Sequence, residues 1–474
     1  MVLSNMGTNH HVQGSCEINT DSEPSPLQVV QELALSKRAT VRIGSYSFLW
    51  QPFEYFIRWL PDHKVDSETH PRFTKAACRV KKISCDDHFD LQLWRTLHLS
   101  STDPRDKVYS ILGISGFSGM RIRPDYTKPV HMVFSEAAAS LLREGKLSFY
   151  LYAPLHPSRE GHDWHRLPHL PSWVPDLRIS DAVLTKDAMP EGHSDLSASE
   201  TYHSPCGIPC KGFFAYQWSE PFGPFEYALD AMCQQLPSPL ARVSTDFSTL
   251  YAPGVLIGTI AETSRGLLDD LKQQSPHSDL PQNIIRFYHS VAKPRGVKPG
   301  RFVRALLNRP ASRSTPDFHE QDVAFALLNP NMCGASVSTT VRRAMIDENA
   351  QIRCQVNKRT LFVTDIGQVG LSYHPDDVNG IRPGDIVVGL FGVNFPFILR
   401  PNEHDTYRMI NVARVVDSEW GHEFLNNAER GAWHGDKDVI HDRRHGWREG
   451  PRQFAQNVSW KDYEQYGLKE YTIV

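Results

Sequence analysis

The 474-residue chain has no apolar run near the ~18–20 residues that a membrane-spanning helix needs. Its polar opening, MVLSNMGTNHHVQGSCEINTDSEPSP, has no apolar core of the kind a secretory signal requires. No membrane span is expected, and the reading is a cytoplasmic protein, with the nucleus as the alternative. Charge of one sign is also lacking. Lys and Arg number 51 against 54 Asp and Glu, so the formal charge of −3 gives no general attraction to nucleic acid or to anionic lipid. The eight cysteines (Cys16, Cys78, Cys85, Cys206, Cys210, Cys233, Cys333 and Cys354) do not form the short repeated spacings of a disulfide framework or a zinc finger.

The nearest approaches to catalytic or metal motifs fail on their own chemistry. GISGFSGM (Gly113–Met120) places Ser115 and Ser118 near glycines, but Phe117 and Met120 stand where a nucleophile elbow needs Gly, and a helix precedes where a strand should. His162, His165 and His169 lie among Pro168 and Pro171, which oppose a shared helix face; His203, Cys206 and Cys210 offer one Cys pair without a second. His441 and His445 fall in a charged tail. No catalytic, cofactor-binding or metal-binding residue is assigned, and no cofactor is expected. Residues 286–313 carry Arg286, Lys293, Arg295, Lys298, Arg301, Arg304, Arg309 and Arg313 with no acidic residue. KPRGVKPGR within them reads as a solvated loop leading into a helix near Phe302–Leu307, so nucleic acid is not an expected partner.

What is present organises the chain as an α+β protein. Residues 1–25 read as disordered, and 26–180 as helical with short strands, including an aromatic-rich stretch from Gly44 to His63. Residues 181–250 read as an irregular connector, 251–349 as mostly helical after a strand at Gly254–Ile260, 350–421 as a β-rich module, and 422–474 as a charged, peripheral tail. The strongest helix signal runs from Pro129 to Arg143, where Val130, Val133, Phe134, Ala137, Ala138, Leu141 and Leu142 form one apolar stripe. In the β-rich module, Gln351–Thr364 reads as two strands around Asn357-Lys358. Further short strands at 367–372, 385–390, 395–399 and 409–416 predict a small antiparallel barrel or curled sheet.

The sharpest local pattern is TDPRDKVYSILG. Thr102 precedes Asp103, a side chain suited to an N-cap; Pro104 fits the first helical position, and Asp106 the third. Val108, Ile111 and Leu112 share an apolar face, which leaves Arg105 and Lys107 to solvent. Local chemistry therefore predicts a capped core helix. Pro124, Asp125 and Tyr126 follow as an extended PDY. Pro171, Trp173, Pro175 and Asp176 belong to LPSWVPD, which reads as an extended stretch because its prolines exclude a helix interior, with Trp173 placed to anchor it to a core.

TDPRDK with Tyr109, followed by PDY and an aliphatic helix, resembles the fungal heterokaryon-incompatibility (HET domain) family. KRTLFVTDIGQVGL (358–371), RPGDIVVGLFGVNFPFILRP (382–401) and YRMINVARV (407–415) are similar to that family's C-terminal region, in the same order. They include Gly384, Asp385, Pro396, Leu399, Arg400 and Pro401. The family's N-terminal signatures, SYxWG and WIDxxCIxQ, do not occur, and the family's later GExYVHGIMxGE pattern is replaced by NVARVVDSEWGHE.

The resemblance implies a member that begins after, or has lost, the N-terminal α/β region through which the family acts, which resembles a nucleotide-cleaving TIR-like fold. It implies a regulatory or interaction protein of a filamentous fungus, linked to self/non-self recognition and programmed cell death, without autonomous activity and with other proteins as partners. The alternatives are an enzyme with residual NAD-cleaving or hydrolytic activity, and an accessory protein of a secondary-metabolite gene cluster.

Overall fold

A computed structural model describes residues 2–5, 16–17, 39–43, 46–50, 52, 55, 89–97, 101–112, 122–143, 166–178, 241–264, 280–307, 318–330, 338–356, 359–372, 380–390, 396–415 and 468–474. Helices and a large mixed sheet make the chain α+β. It divides into two compact units: Met1–Leu141 with His156–Leu170 and Asp176–Met189, and Leu142–Leu155 with Pro171–Pro175 and Pro190–Val474.

In the first unit, β1 (Val2–Asn5), β2 (Cys16–Glu17), β3 (Ala39–Ile43) and β4 (Tyr46–Leu49) pair antiparallel in the order β2-β1-β3-β4. Residues 1–25 were expected to lack order, yet two of their segments are strands. Ladder bonds between backbones recruit them, and backbone pairing needs no apolar run in β1 or β2. Helix α1 (Phe89–Thr96) follows. Phe89, Gln92, Leu93, Thr96 and, just beyond its end, Leu97 are buried at the spacing of one helical face. Helices α2 (Asp106–Leu112) and α3 (Val130–Arg143) complete the unit's described core. Along α3, Val133, Phe134, Ala137, Ala138 and Leu141 are buried, as the apolar stripe in the sequence requires.

The second unit carries eight strands: β5 (Arg242–Val243), β6 (Leu250–Thr263), β7 (Leu361–Thr364), β8 (Val369–Ser372), β9 (Ile386–Leu390), β10 (Phe397–Pro401), β11 (Thr406–Val415) and β12 (Leu468–Ile473). The path is β10-β9-β6-β12-β11-β8-β7. β5 lies on β6, and the further ladders β10–β11 and β6–β7 join strands that are not adjacent on that path. All pairs are antiparallel except β11 with β12. Register shifts at Leu256/Gly258 and Ile260/Glu262 let β6 serve several partners. Leu250–Val255 pair with β12, Gly254–Thr259 with β9, and Ile260–Thr263 with β7.

Four helices, α4 (Gln282–Phe287), α5 (Pro299–Leu307), α6 (Phe318–Leu328) and α7 (Thr339–Val356), supply the helical side of this core. Ile284, Phe302, Leu306, Leu328 and Ile352 are buried in one cluster with Leu361, Val363, Val369 and Leu371 of the sheet. Gly370 is required there: a Cβ on it would lie 2.3 Å from the Phe362 ring.

Two expectations change in this unit. Residues 351–356 continue α7 rather than forming a strand. Ile352, Cys354 and Val356 alternate as a strand would, but Asn349, Ile352, Arg353 and Val356 are buried at i, i+3, i+4 and i+7, and extending an existing helix is easier than starting a new element. The peripheral-tail reading of 422–474 does not hold for its end. β12 sits between β6 and β11 with Tyr471 and Ile473 buried, because those two residues share the inward-facing register.

Candidate functional site

The motif residues of the first unit meet at the start of α2. Asp103 Oδ1 accepts the N–H of Arg105 at 2.9 Å, the bond of an N-cap, and Pro104 follows it with no N–H to leave unpaired. The amides of Asp106 and Lys107 bond back to the carbonyls of Asp103 and Pro104 at 3.0 and 3.1 Å, which closes a tight first turn. Arg105 folds over this cap. Its Nε and Nη2 reach Asp103 at 2.9 and 2.7 Å, while Nη1 donates to the carbonyl of Tyr126 and, at 3.0 Å, to that of Lys128. The hydrogen bond from Arg105 holds the Asp103 carboxyl below its usual range, and the same contact raises the guanidinium.

PDY is the other half of this arrangement. Tyr109 Oη donates to the carbonyl of Asp125 at 3.0 Å, and Tyr126 Oη donates to Asp106 Oδ1 at 2.6 Å. The two tyrosine rings pack edge to face at 5.2 Å, with the Arg105 guanidinium 5.3 Å from the Tyr126 ring centre. Asp125 closes its own turn by accepting from the N–H and hydroxyl of Thr127 at 2.9 and 2.6 Å, which lowers its carboxyl. The bond to Asp106, with burial, pushes the Tyr126 phenol up to about 12. Thr102 and Pro124 are exposed and make none of these bonds.

Lys107 and Arg105 were expected to face solvent, and neither does so freely. Lys107 is 5 % exposed, and its Nζ donates to the Leu97 carbonyl at 2.7 Å. Burial lowers its amine to about 8. The reason is that α2 is covered on both sides, so Asp106 through Ile111 are all buried and polar side chains turn to backbone acceptors.

The LPSWVPD residues divide by unit. In the first, Asp176 is fully buried; burial alone would raise it, but bonds from Arg178 and from the Leu167 N–H outweigh that and hold it low. In the second, Pro171 to Val174 forms a turn rather than an extended stretch. Buried Trp173 donates Nε1 to the Ser248 carbonyl at 3.3 Å. Ser172 Oγ accepts the Met409 N–H at 2.9 Å and donates to the Val474 carbonyl. Pro175 is buried beside them in sequence.

The second unit also brings Asp385 and Arg400 together. Asp385, 1 % exposed, is gripped by Arg400 Nε at 2.8 Å and Nη2 at 2.9 Å and accepts the Arg382 N–H at 2.9 Å; Arg400 also donates to the Gly380 carbonyl at 2.7 Å. Gly384 sits at φ +92 in this turn, a backbone that an L side chain strains. Leu399 and Pro396 are buried and Pro401 is exposed at the strand end.

One cluster gave no signal in the sequence. Lys469 Nζ lies 3.1 Å from Asp405 Oδ1 and 2.9 Å from Tyr407 Oη, which itself donates to Asp405 at 2.9 Å; the Tyr407 and Tyr471 rings pack at 5.3 Å. More than sixty residues separate Lys469 from its partners, and only the β11–β12 pairing brings them together. His404 and Asp405 both have positive φ in the turn before β11.

In these clusters the motif carboxylates and cations bond to backbone groups or to one another. That chemistry fixes turns and docks segments; it places no nucleophile beside a base. Among the described residues no group of three His, Cys, Asp or Glu side chains is arranged to hold a metal ion, and no helix is long and apolar enough to cross a membrane. His169 lies in a turn at φ 63 with its ring 5.8 Å from that of His131. Gly113–Met120, His162, His165, His203, Cys206, Cys210, His441, His445, Arg309 and Arg313 lie outside the described residues. No family model, curated protein or solved structure matches the chain.

Proposed function

We propose that this chain is a heterokaryon-incompatibility-type regulatory or interaction protein of a filamentous fungus, linked to self/non-self recognition and cell death and without autonomous catalytic activity. One observation carries the proposal. The two motifs that raise the resemblance, TDPRDK and PDY, dock on each other through Arg105, Asp106, Tyr109 and Tyr126. That contact supplies a structural reason for the motifs to travel together. It also leaves their charged groups occupied in holding the backbone rather than presented to a substrate. The same logic extends to Asp385 and Arg400 in the downstream match.

The ladders β10–β11 and β6–β7 support the finer reading of the second unit as a small barrel, a scaffold on which an interaction surface could be displayed. The partners in this role are other proteins, and the cell compartment is the cytoplasm, with the nucleus as the alternative. Purified full-length chain incubated with NAD tests the absence of autonomous activity. The expected result is an unchanged dinucleotide pool, and cleavage that scales with protein concentration would support the enzyme reading instead.

A further inference from the structure

Residues 282–295 form one continuous helical run: α4, then a π-helical turn at Tyr288–Ala292, then a 3₁₀ turn at Lys293–Arg295. Its two sides are chemically opposite. Ile284, Ile285, Phe287, Tyr288 and Ala292 are buried, whereas Arg286, His289, Ser290 and Lys293 are exposed on the other side. Arg295 and, past the left-handed Gly296, Lys298 extend the exposed basic line. Arg286, His289, Ser290 and Lys293 stand at i, i+3, i+4 and i+7, the spacing of one helical face, and the π turn does not interrupt their common exposure. Most of this basic charge stays outward. Ser290 Oγ donates to the Arg286 carbonyl, His289 Nε2 is 3.0 Å from the Leu328 carbonyl and Arg295 Nη1 donates to the Val291 carbonyl at 3.0 Å; among the described residues the carboxylate paired with the line is Glu262, 4.0 Å from Arg295.

We propose that this line is a docking surface for the phosphate backbone of duplex DNA, bound without regard to base sequence. A run about 20 Å long matches the reach of several successive phosphates along a duplex groove edge. The same surface argues against other polyanions. Its large apolar side chains face the core, so it has no wedge to insert into a bilayer, and its Phe287 and Tyr288 rings are buried, so it has no run of aromatic faces on which successive unpaired bases could stack. The sequence reads this stretch as an ordinary solvated face; the alignment of the cations on one side of a helical run is what the fold adds.

Fluorescence anisotropy of the full chain with a labelled random-sequence duplex, titrated at several salt concentrations, tests the proposal. Affinity is expected to fall roughly a hundredfold between about 50 and about 200 mM salt, as engagement of about four phosphates requires. The triple variant Arg286→Gln/Lys293→Gln/Lys298→Gln should reduce the slope of log K against log salt by about three while retaining the wild-type circular-dichroism melt. No binding at low salt overturns the proposal, as does a slope that the triple variant leaves unchanged. Competition by phosphatidylserine vesicles that strips the duplex at equal phosphate would also overturn it, by making an anionic membrane the preferred partner.

Discussion

Arg105 and Lys107 stand two positions apart in one motif and do different work. Arg105 lies at the rim, where its guanidinium satisfies a capping carboxylate and two carbonyls of the following segment. Lys107 goes inward, and its amine is lowered to about 8 by burial. The linkage has a definite sign. An unfolded lysine titrates near ~10.4, so between about 8 and that value the unfolded chain binds more protons than the folded one, and stability rises with pH by up to ~1.4 kcal/mol per pH unit. Below pH 8 the charged amine is buried at a standing cost. Denaturation midpoints measured from pH 7 to 10.5 should therefore show a rise in the wild type that Lys107→Met lacks; parallel profiles for the two proteins would rule this out.

At the scale of elements, stability in the second unit depends on turns that are tied across strands. Asp385 ends a turn before β9, and Arg400 on β10 holds both its oxygens. Arg400→Met leaves a buried carboxylate without its cation, and the expected loss is ~3–5 kcal/mol. Replacing both residues with apolar ones of similar size should recover most of that loss. Chemical denaturation followed by a probe of this unit checks both values, and a single variant as stable as wild type would contradict the account.

The legibility of the sequence also differs by element. α3 is plain because seven apolar residues repeat at one spacing with nothing to compete. The cap of α2 is plain because Asp103 and Pro104 act within one turn. β12 was hidden, since a six-residue alternation inside a charged stretch says nothing until β6 and β11 exist to flank it. The end of α7 was misread because Ile352, Cys354 and Val356 satisfy the strand period while Ile352 and Val356 also satisfy the helical one. Within the candidate site, the bonds themselves were not legible: Asp106 and Tyr126 stand out in the sequence as motif residues but not as partners, and Lys469 and Asp405 do not stand out at all, because these are long-range bonds that no local spacing encodes.

For the whole molecule, the two units are alike in how their motifs are used. Each unit uses its recognisable residues to fix its own backbone, and this supports a protein whose effect depends on what it meets in the cell. The direct measurement is hyphal viability of a filamentous fungus carrying the chain under an inducible promoter, scored in unfused hyphae and again after fusion with strains that lack it. The account predicts normal growth before fusion and cell death confined to fusions with particular strains. Growth arrest in unfused hyphae, or healthy fusions with every strain tested, would contradict it.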